Sequence, residues 1–250
     1  MKRHLAGRPV SVQRFPDGVG ASGFFQKNVP DYYPDWITRH PLPAEDGTVT
    51  YLVVDSEATL AFLAVQACIT LHVAPSRVDR PQHPDRMIFD LDPAGEDDVG
   101  GVRHGALVVR EALREHGFEP HVMTSGSRGL YVVCGLDRSR DYDAVRASAK
   151  DLAQSAALRD PERLTTEVRK DRRRGRIFID YLRNPYGQTA VAPYSVRPRP
   201  DGPIAAPLDW SEVEDTDWHP RRTTLATIFR RLGQKPDSWP ESALQCFLRR

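Results

Sequence analysis

One short segment, residues 86–93 (RMIFDLDP), constrains this chain more than any other. Its apolar residues are followed closely by Pro and Gly, a pattern that predicts a buried strand ending in a turn. Because successive side chains of a strand point to opposite faces, Asp90 and Asp92 share one face, and Phe89 and Leu91 share the other. The segment therefore predicts two neighbouring carboxylates near the end of a buried strand.

Two adjacent carboxylates are costly for a protein to keep. They repel each other, and burial makes both expensive to desolvate. A divalent cation removes both costs, and hard ions such as Mg²⁺ take oxygen ligands of this kind. An ordinary capping or turn pair is the alternative interpretation of a bare Asp-x-Asp sequence, and this segment alone leaves it open.

The composition excludes several classes of protein. The chain has 250 residues, of which 40% are hydrophobic and 28% charged, as in a soluble globular protein. No apolar run reaches membrane-spanning length and the first residues lack a signal-peptide core, so no membrane partner is expected. Since the net charge is only +1, a polyanion partner must be bound by local basic patches.

The cysteines indicate a reducing compartment. Cys68, Cys134 and Cys246 are odd in number and widely spaced. Cys68 and Cys134 lie in apolar runs, which predicts buried thiols rather than a disulfide or zinc framework. We therefore expect a cytoplasmic protein.

The rest of the chain alternates between strand and helix patterns. Strands are predicted at residues 7–15, 48–54, 69–74, 119–124, 130–135, 164–168, 177–182 and 189–193, and helices at 56–68, 99–116, 141–158 and 223–232. No internal repeat or clear linker divides the chain. A single α/β (α+β) domain, residues 1–250, with mixed or antiparallel sheets and flanking helices is expected.

Two further segments have more than one interpretation. Residues 23–36 mix aromatic and basic side chains, which suits stacking on bases but equally suits the edge of a hydrophobic core. Residues 169–176 hold six cations against one acid, typical of a solvated hairpin tip or of a phosphate-binding loop.

Three features together point to phosphate chemistry. Besides Asp90 and Asp92, a small-residue loop at 125–129 (SGSRG) can surround phosphate oxygens with backbone N–H groups, and Asp180 ends a later strand. Three carboxylates can hold two divalent ions, the arrangement that polymerases use. The residues alone lead to metal-dependent phosphoryl transfer and leave the proximity of Asp180 open.

The ordered motifs of the chain resemble a known family, the polymerase domain of bacterial and archaeal DNA ligase D, within the archaeo-eukaryotic primase superfamily. The motifs are HLAGRP (4–9), FFQK (24–27), IFDLDP (88–93), TSGSRGL (124–130), FIDY (178–181) and APYSVR (192–197). The resemblance is strongest over residues 4–210. It implies a primase-polymerase fold and template-directed addition of nucleotides, preferentially ribonucleotides, at DNA ends or gaps during non-homologous end joining.

The resemblance also implies partners. The substrates would be DNA ends or gapped DNA and an NTP or dNTP. No ligase or phosphoesterase module accompanies the motifs, so a stand-alone or excised polymerase domain is expected. A separate DNA ligase and a Ku-like end-binding protein would then act with it, in the cytoplasm at the nucleoid.

Carried over motif by motif, the resemblance implies roles for individual residues. The catalytic and metal-binding residues would be Asp90, Asp92 and Asp180, holding two Mg²⁺ or Mn²⁺ ions. Contacts to the incoming nucleotide would come from His72, Ser125, Arg128, Gly129 and Arg197. Contacts to DNA would come from Arg14, Phe24, Phe25 and Lys27.

The chain departs from the family pattern at three places. Arg128 stands where the family commonly has Lys, which keeps the charge but changes the geometry. Tyr131 stands where the family has His, so this side chain carries no positive charge near neutral pH. The chain begins at the HLAGRP motif, without the preceding lysine-bearing segment that binds a 5′-phosphate in the family. Three alternatives follow: this recognition is lost, it falls to residues such as Lys2, Arg3 and Arg14, or the start is a truncation of the natural chain.

Two other functions compete with a polymerase. A DNA-end-binding or synapsis module with a decayed site would bind DNA in a salt-sensitive way without incorporating nucleotides. A sugar-nucleotide transferase using Asp-x-Asp would ignore DNA, and the basic segment together with Asp180 argues against it.

Overall fold

The computed structural model describes residues 1–93, 95, 98–235 and 237–239. The strands are β1 (Pro9–Arg14), β2 (Phe24–Gln26), β3 (Arg39–Ala44), β4 (Gly47–Val53), β5 (Cys68–Val73), β6 (Arg86–Asp92), β7 (Pro120–Thr124), β8 (Leu130–Gly135), β9 (Leu164–Thr165), β10 (Ile177–Asp180), β11 (Ala190–Val191) and β12 (Pro207–Leu208). The α-helices are α1 (Lys2–Leu5), α2 (Glu57–Val65), α3 (Val99–Glu115), α4 (Tyr142–Leu158), α5 (Trp210–Glu214) and α6 (Ile228–Gln234), with a 3₁₀ helix at Lys170–Arg172.

Two six-stranded sheets form the framework. The first has the order β11-β5-β1-β4-β3, and β2 pairs with the end of β1 that β4 leaves open. The second has the order β12-β7-β8-β6-β10-β9. Of these strand pairs, β9 with β10 is parallel and the others are antiparallel, so the prediction of mixed and antiparallel sheets is confirmed.

The helices α3 and α4 cover one face of the second sheet. Phe89 and Leu91 of β6 belong to the main hydrophobic core with apolar residues of both helices. On α4, the residues Val145, Ala149, Leu152 and Ala156 form a buried stripe, each at most 7% exposed and part of the same core. Burial of this face fixes the direction of every side chain in β6, so Asp90 and Asp92 point away from the helices.

The other face of the second sheet meets the first sheet. A smaller apolar cluster joins Ile88 of β6 and Tyr131 of β8 to Ala190 and Val191 of β11. Asp90 projects from the same face as Ile88, because the two residues are two positions apart on one strand. The carboxylate therefore lies between the sheets.

A buried ion cluster ties the two sheets together. Arg8 precedes β1 and Asp85 precedes β6, and their side chains, 1% and 3% exposed, meet with Nη2 2.6 Å from Oδ2. Arg77 donates from Nε to the same oxygen at 2.8 Å, and Arg86 lies 3.9 Å from the other oxygen. Burial alone would raise the pKa of Asp85, but the charges of Arg8 and Arg86 and the hydrogen bonds from Arg8 and Arg77 lower it to about 2.

Several predicted elements differ in extent. Helix α2 ends at Val65 rather than Cys68, because Ala67 adopts a left-handed φ of 56° and β5 begins at the next residue. The last predicted helix starts five residues later, at Ile228. Strand β3 escaped prediction because it contains two prolines, which an edge strand tolerates.

The basic segment 169–176 is not a hairpin tip. It joins β9 to β10, which run parallel, so the chain crosses over through the 3₁₀ helix instead of turning back. Arg173 and Arg176 donate to main-chain carbonyls of the surrounding loop. These two arginines therefore stabilise the backbone of the segment by hydrogen bonds.

Two general expectations concern cysteines and membranes. Cys68 and Cys134 are both buried, as predicted, and Cys246 lies outside the described residues. Among the helices that the structure describes, none has the length and apolar character needed to cross a membrane.

Candidate active site

The three predicted carboxylates come together across two paired strands. Asp180 of β10 lies directly opposite Asp90 of β6 in the antiparallel register, and Asp92 lies opposite Phe178. Each of the three carboxylates offers an oxygen within 4.8 Å of the others. The side chains of Asp90 and Asp180 are 6% and 11% exposed. The non-local pairing of β6 with β10 thus assembles the cluster that the sequence left open.

The cluster is electrostatically strained. Burial and then the charge of Asp92 raise the pKa of Asp90 well above its usual range, and burial and then the charge of Asp180 raise the pKa of Asp92. Carboxyl groups this close hold their charge poorly unless a cation joins them. Three convergent carboxylates fit hard divalent ions such as Mg²⁺ and Mn²⁺, which prefer oxygen ligands.

Arg183 is an active-site residue that sequence reasoning missed. Its Nη2 lies 3.3 Å from Asp90 Oδ2, and its Nε lies 3.8 Å from Asp180 Oδ2. The neighbouring Asn184 side chain accepts from the N–H of Ile88 and donates to its carbonyl, both at 2.8 Å. The available sequence signal for Arg183 was its position three residues after Asp180, a predicted metal ligand.

The loop at 125–129 is held from within by one hydroxyl. Ser125 Oγ accepts from the N–H of Gly129 at 3.1 Å and from that of Ser127 at 3.3 Å. Gly126 has a left-handed φ of 66°. A Cβ atom on Gly129 would lie 2.3 Å from the carbonyl oxygen of Leu91, so the loop approaches β6 as only glycine allows.

Two arginines outside the predicted set donate hydrogen bonds to Ser127 at the tip of this loop. Arg199 Nη2 donates to Ser127 Oγ at 3.1 Å, and Arg221 Nε donates to the Ser127 carbonyl at 3.3 Å. Arg128 lies close enough to Asp92 for its charge to lower the pKa of that carboxyl. The loop, with its own Arg128 and the guanidinium groups of Arg199 and Arg221 next to it, is suited to an anionic ligand beside the carboxylates.

Two further predicted nucleotide contacts have unused donors or acceptors. His72 Nε2 and the Nε and Nη1 atoms of Arg197 are buried and lack a hydrogen-bond partner within the part of the chain that the structure describes. Burial, then the charges of Arg197 and Arg183, lower the pKa of His72 to about 3, so its imidazole is neutral. Buried polar atoms are normally paired, and these would be satisfied by a polar ligand.

Tyr131 of β8 lies next to the carboxylate cluster. It lies opposite Asp90 in the register of β6 and β8 and is 5% exposed. Burial and then the charge of Asp90 raise its pKa, so the phenol stays neutral. The side chain adds no positive charge to the site.

The predicted DNA contacts differ in availability. Phe24 and Phe25 are 47% and 60% exposed, and Lys27 is exposed as well. The guanidinium group of Arg14 instead donates to the Gln66 carbonyl and to side chains of Gln26, Tyr32 and Gln66. Arg14 is therefore occupied by the protein itself.

The cations expected to replace the family's 5′-phosphate contacts are also engaged. Lys2 pairs with Glu57 at 3.4 Å, an exposed contact. Arg3 pairs with Asp237 at 2.7 Å. The structure brings neither residue to the carboxylate cluster by any contact it records among the described residues.

Comparison with known proteins identifies the same family that the sequence motifs resemble. Residues 1–239 match the family model described as "LigD, primase-polymerase domain". The chain is 34% identical over 223 residues to the multifunctional non-homologous end joining DNA repair protein LigD of Mycobacterium tuberculosis, covering 86% of this chain and 29% of that protein. It is 31% identical over 232 residues to the bifunctional LigD of Bacillus subtilis, covering 92% of this chain and 37% of that protein.

A solved structure matches almost the whole chain. The polymerase domain of Mycobacterium tuberculosis ligase D in complex with DNA superposes with a TM-score of 0.92 at 32% identity, covering 98% of this chain and 87% of that one. The full-length relatives are much longer, since this chain spans roughly a third of their length.

Proposed function

Because this chain belongs to the family of LigD primase-polymerase domains, we propose that it adds nucleotides, preferentially ribonucleotides, to DNA ends or gaps under direction of a template. The biological setting would be break repair by non-homologous end joining. The observation that carries this proposal is the cluster of Asp90, Asp92 and Asp180, next to the 125–129 loop and to Arg197, whose buried donors lack a partner among the described residues.

The residues divide the work by chemistry. Asp90, Asp92 and Asp180 would hold two Mg²⁺ or Mn²⁺ ions. When bound, such ions would lower the pKa of the attacking 3′-hydroxyl and neutralise charge on the triphosphate, from which pyrophosphate leaves. The 125–129 loop with Arg128 would bind the triphosphate of the incoming nucleotide through its N–H groups and charge.

His72 and Arg197 would complete the nucleotide site. Their buried nitrogens that lack a partner among the described residues could hydrogen-bond polar groups of the nucleotide, and the neutral imidazole can accept as well as donate. The exposed Phe24 and Phe25 would stack on template bases, and Lys27 would contact a phosphate. Arg14 would support this surface through its contacts to neighbouring side chains.

The wider context is also a proposal. Residues 1–250 would form one catalytic domain that acts at the nucleoid. The ligation step would require a DNA ligase, and a Ku-like protein would hold the ends.

The direct test is incorporation on a gapped, 5′-phosphorylated DNA with Mn²⁺ and either NTPs or dNTPs. Template-dependent extension that favours NTPs supports the proposal. DNA binding without extension, with Mn²⁺ or in a repeat with Mg²⁺, would instead identify an end-binding module.

Gly129→Ala should weaken the nucleotide site without unfolding the chain. The added methyl group would meet the Leu91 carbonyl at 2.3 Å, so the loop must shift away from the carboxylates. A misplacement of about 1 Å can cost about a hundredfold in rate, and we expect a loss of that order in kcat/KM for NTP. Steady-state incorporation kinetics measure it.

Gly20→Ala is the matched control for this substitution, because a Cβ atom there would meet no atom within 4 Å from non-neighbouring residues in the described part of the chain. Equal kinetics for both variants would show that the loop does not hold the nucleotide.

A further inference from the structure

Arg183 stands on a fixed piece of main chain directly after β10. The N–H of Leu182 donates to Asp180 Oδ1 at 2.7 Å. On the other side, Asn184 is 1% exposed, and its side-chain amide holds the main chain of Ile88 through two hydrogen bonds. Because both neighbours of Arg183 are anchored, movement at this position is left to its side chain.

The guanidinium group of Arg183 is held loosely. Its Nε and Nη2 atoms both donate to one oxygen, Asp90 Oδ2, at 3.4 and 3.3 Å. Hydrogen bonds between a cationic nitrogen and a carboxylate are normally about 2.7–2.9 Å long. Arg8, by contrast, approaches Asp85 to 2.6 Å and is 1% exposed, whereas the side chain of Arg183 is 36% exposed. Water therefore reaches Arg183, and its contact with Asp90 is weaker than a buried structural ion pair.

The oxygens that Arg183 contacts belong to the carboxylates that fit a divalent ion. Besides the two donors to Asp90 Oδ2, the Nε atom of Arg183 lies 3.8 Å from Asp180 Oδ2. Asp90, Asp180 and Asp92 each offer an oxygen within 4.8 Å of the others. A guanidinium group and a divalent ion held at the same oxygens would repel each other, and the repulsion is strong where water is partly excluded. The two cations therefore compete for one place.

Charge balance gives Arg183 a role in the ion-free chain. Among the residues that the structure describes, it is the one cation that forms an ion pair with a member of the carboxylate cluster. Arg128 and Arg173 act on Asp92 through their charge, without such a contact in the same part of the chain. Without Arg183 the three carboxylates would face one another with little compensation.

We propose that Arg183 is an exchangeable counter-cation of the carboxylate cluster. It neutralises part of the charge of Asp90 and Asp180 in the ion-free chain, and a divalent ion displaces it from them. The inference rests on the proposed function, because it concerns the ions that this function requires. Arg183 thereby stabilises the ion-free fold and lowers the affinity of the cluster for metal.

A purely structural ion pair leads to the opposite expectation. If Arg183 only held the end of β10 against β6, its removal would loosen the cluster and weaken metal binding. Removal of a competing cation instead strengthens metal binding. The sign of the change in the Kd for metal therefore separates the two roles.

Binding of Mn²⁺ to the full chain without DNA or nucleotide provides the test, with free Mn²⁺ measured by electron paramagnetic resonance. An arginine beside a carboxylate lowers the affinity of that carboxylate for a proton by about one to three powers of ten. We therefore expect Arg183→Gln to lower the Kd for Mn²⁺ about tenfold. Arg183→Lys keeps a positive charge, so its Kd should lie close to that of the unmodified chain.

Arg138→Gln is the matched control. Arg138 donates two hydrogen bonds to Asp79, so it too is an arginine paired with a carboxylate. It follows the end of β8 at which Gly135 pairs with Arg86, at the other end of β6 from Asp90. Its removal should leave the Kd for Mn²⁺ unchanged.

Thermal unfolding gives a second readout. In EDTA, Arg183→Gln should unfold at a lower temperature than the unmodified chain, because the carboxylates have lost their cation. Mn²⁺ should then raise its unfolding temperature by more than it raises that of the unmodified chain, since a tighter ligand stabilises more.

A measurement on the unmodified chain applies even if Arg183→Gln does not fold in EDTA. Phenylglyoxal modifies free guanidinium groups, and pairing with a carboxylate suppresses this reaction. Peptide mass spectrometry should show faster modification of Arg183 with Mg²⁺ than in EDTA, and no such difference at Arg138.

The outcomes separate this inference from the proposed function. An unchanged or higher Kd for Mn²⁺ in Arg183→Gln, or equal modification of Arg183 with and without Mg²⁺, would overturn the exchange. Template-dependent extension by the same preparation would leave the proposed function standing. Absence of Mn²⁺ binding in the unmodified chain would overturn both, because the proposed chemistry needs the ions.

Discussion

Asp90→Asn is expected to lower nucleotide addition by about a thousandfold, because it removes the carboxylate that faces both other members of the cluster. The amide keeps the shape of the side chain but loses the charge that would bind a divalent ion. Asp180→Asn should behave in the same way. Single-turnover incorporation on gapped DNA measures the loss, and titration with Mn²⁺ reports metal affinity independently of activity.

The stability of the same variants separates loss of chemistry from loss of fold. Since mutual repulsion and burial raise the pKa values of Asp90 and Asp92, removing one charge relieves strain in the metal-free protein. The unfolding temperature in EDTA should stay level or rise. Asp171→Asn, an exposed carboxylate in the basic segment, serves as the control and should retain activity. Full activity in Asp90→Asn and Asp180→Asn would contradict the site.

Asp85→Ala is expected to destabilise the fold by about 3–5 kcal/mol, because it leaves Arg8 buried without its carboxylate. Arg77 and Arg86 would lose their shared counter-charge as well. Because domains of this size are stable by only about 5–15 kcal/mol, the variant should lose a large fraction of its unfolding free energy. Urea denaturation followed by circular dichroism measures the change.

A surface ion pair provides the control for this prediction. Asp79 accepts two hydrogen bonds from Arg138, at 2.8 and 2.9 Å, but its side chain is 64% exposed. Asp79→Ala should therefore cost less than about 1 kcal/mol. Similar costs for the two variants would show that burial does not amplify the Arg8–Asp85 contact.

The same cluster predicts a pH dependence. The folded pKa of Asp85, about 2, lies below its ordinary value, so its contribution to stability is present above about pH 4 and is lost as the pH falls toward 2. Asp85→Ala should flatten the pH dependence of the unfolding free energy in this window. An unchanged slope would mean that Asp85 does not pair with Arg8 in solution.

The sequence predicted local features well because they depend on neighbours in the chain. The alternation of Asp90 and Asp92 with Phe89 and Leu91 follows from strand geometry alone. The helices predicted to begin at Ser56 and Asp141 are capped by those residues, and each side chain accepts from the backbone N–H three residues on. These features need no knowledge of distant partners.

Features that depend on distant pairing were less accessible. Whether Asp180 lies near Asp90 depends on the register of β6 with β10, which only the family resemblance suggested. Arg199 and Arg221 reach the loop at Ser127 from segments more than 70 residues away, and no local pattern marks them. Of the two interpretations of the basic segment, the hairpin tip was wrong, because β9 pairs with β10 in parallel and charge density carries no information on strand direction.

The side chain of Asn184 replaces main-chain hydrogen bonds at the place where strand β10 ends. Strand β10 stops at Asp180, which would leave the main chain of Ile88 with an unpaired donor and acceptor on that side. The Asn184 amide takes both, standing in for the missing peptide group. The main chain of β6 therefore keeps its donor and acceptor at Ile88 satisfied although its partner strand ends at the acidic cluster, so the strand that carries Asp90 stays fixed at the point where the sheet pairing stops.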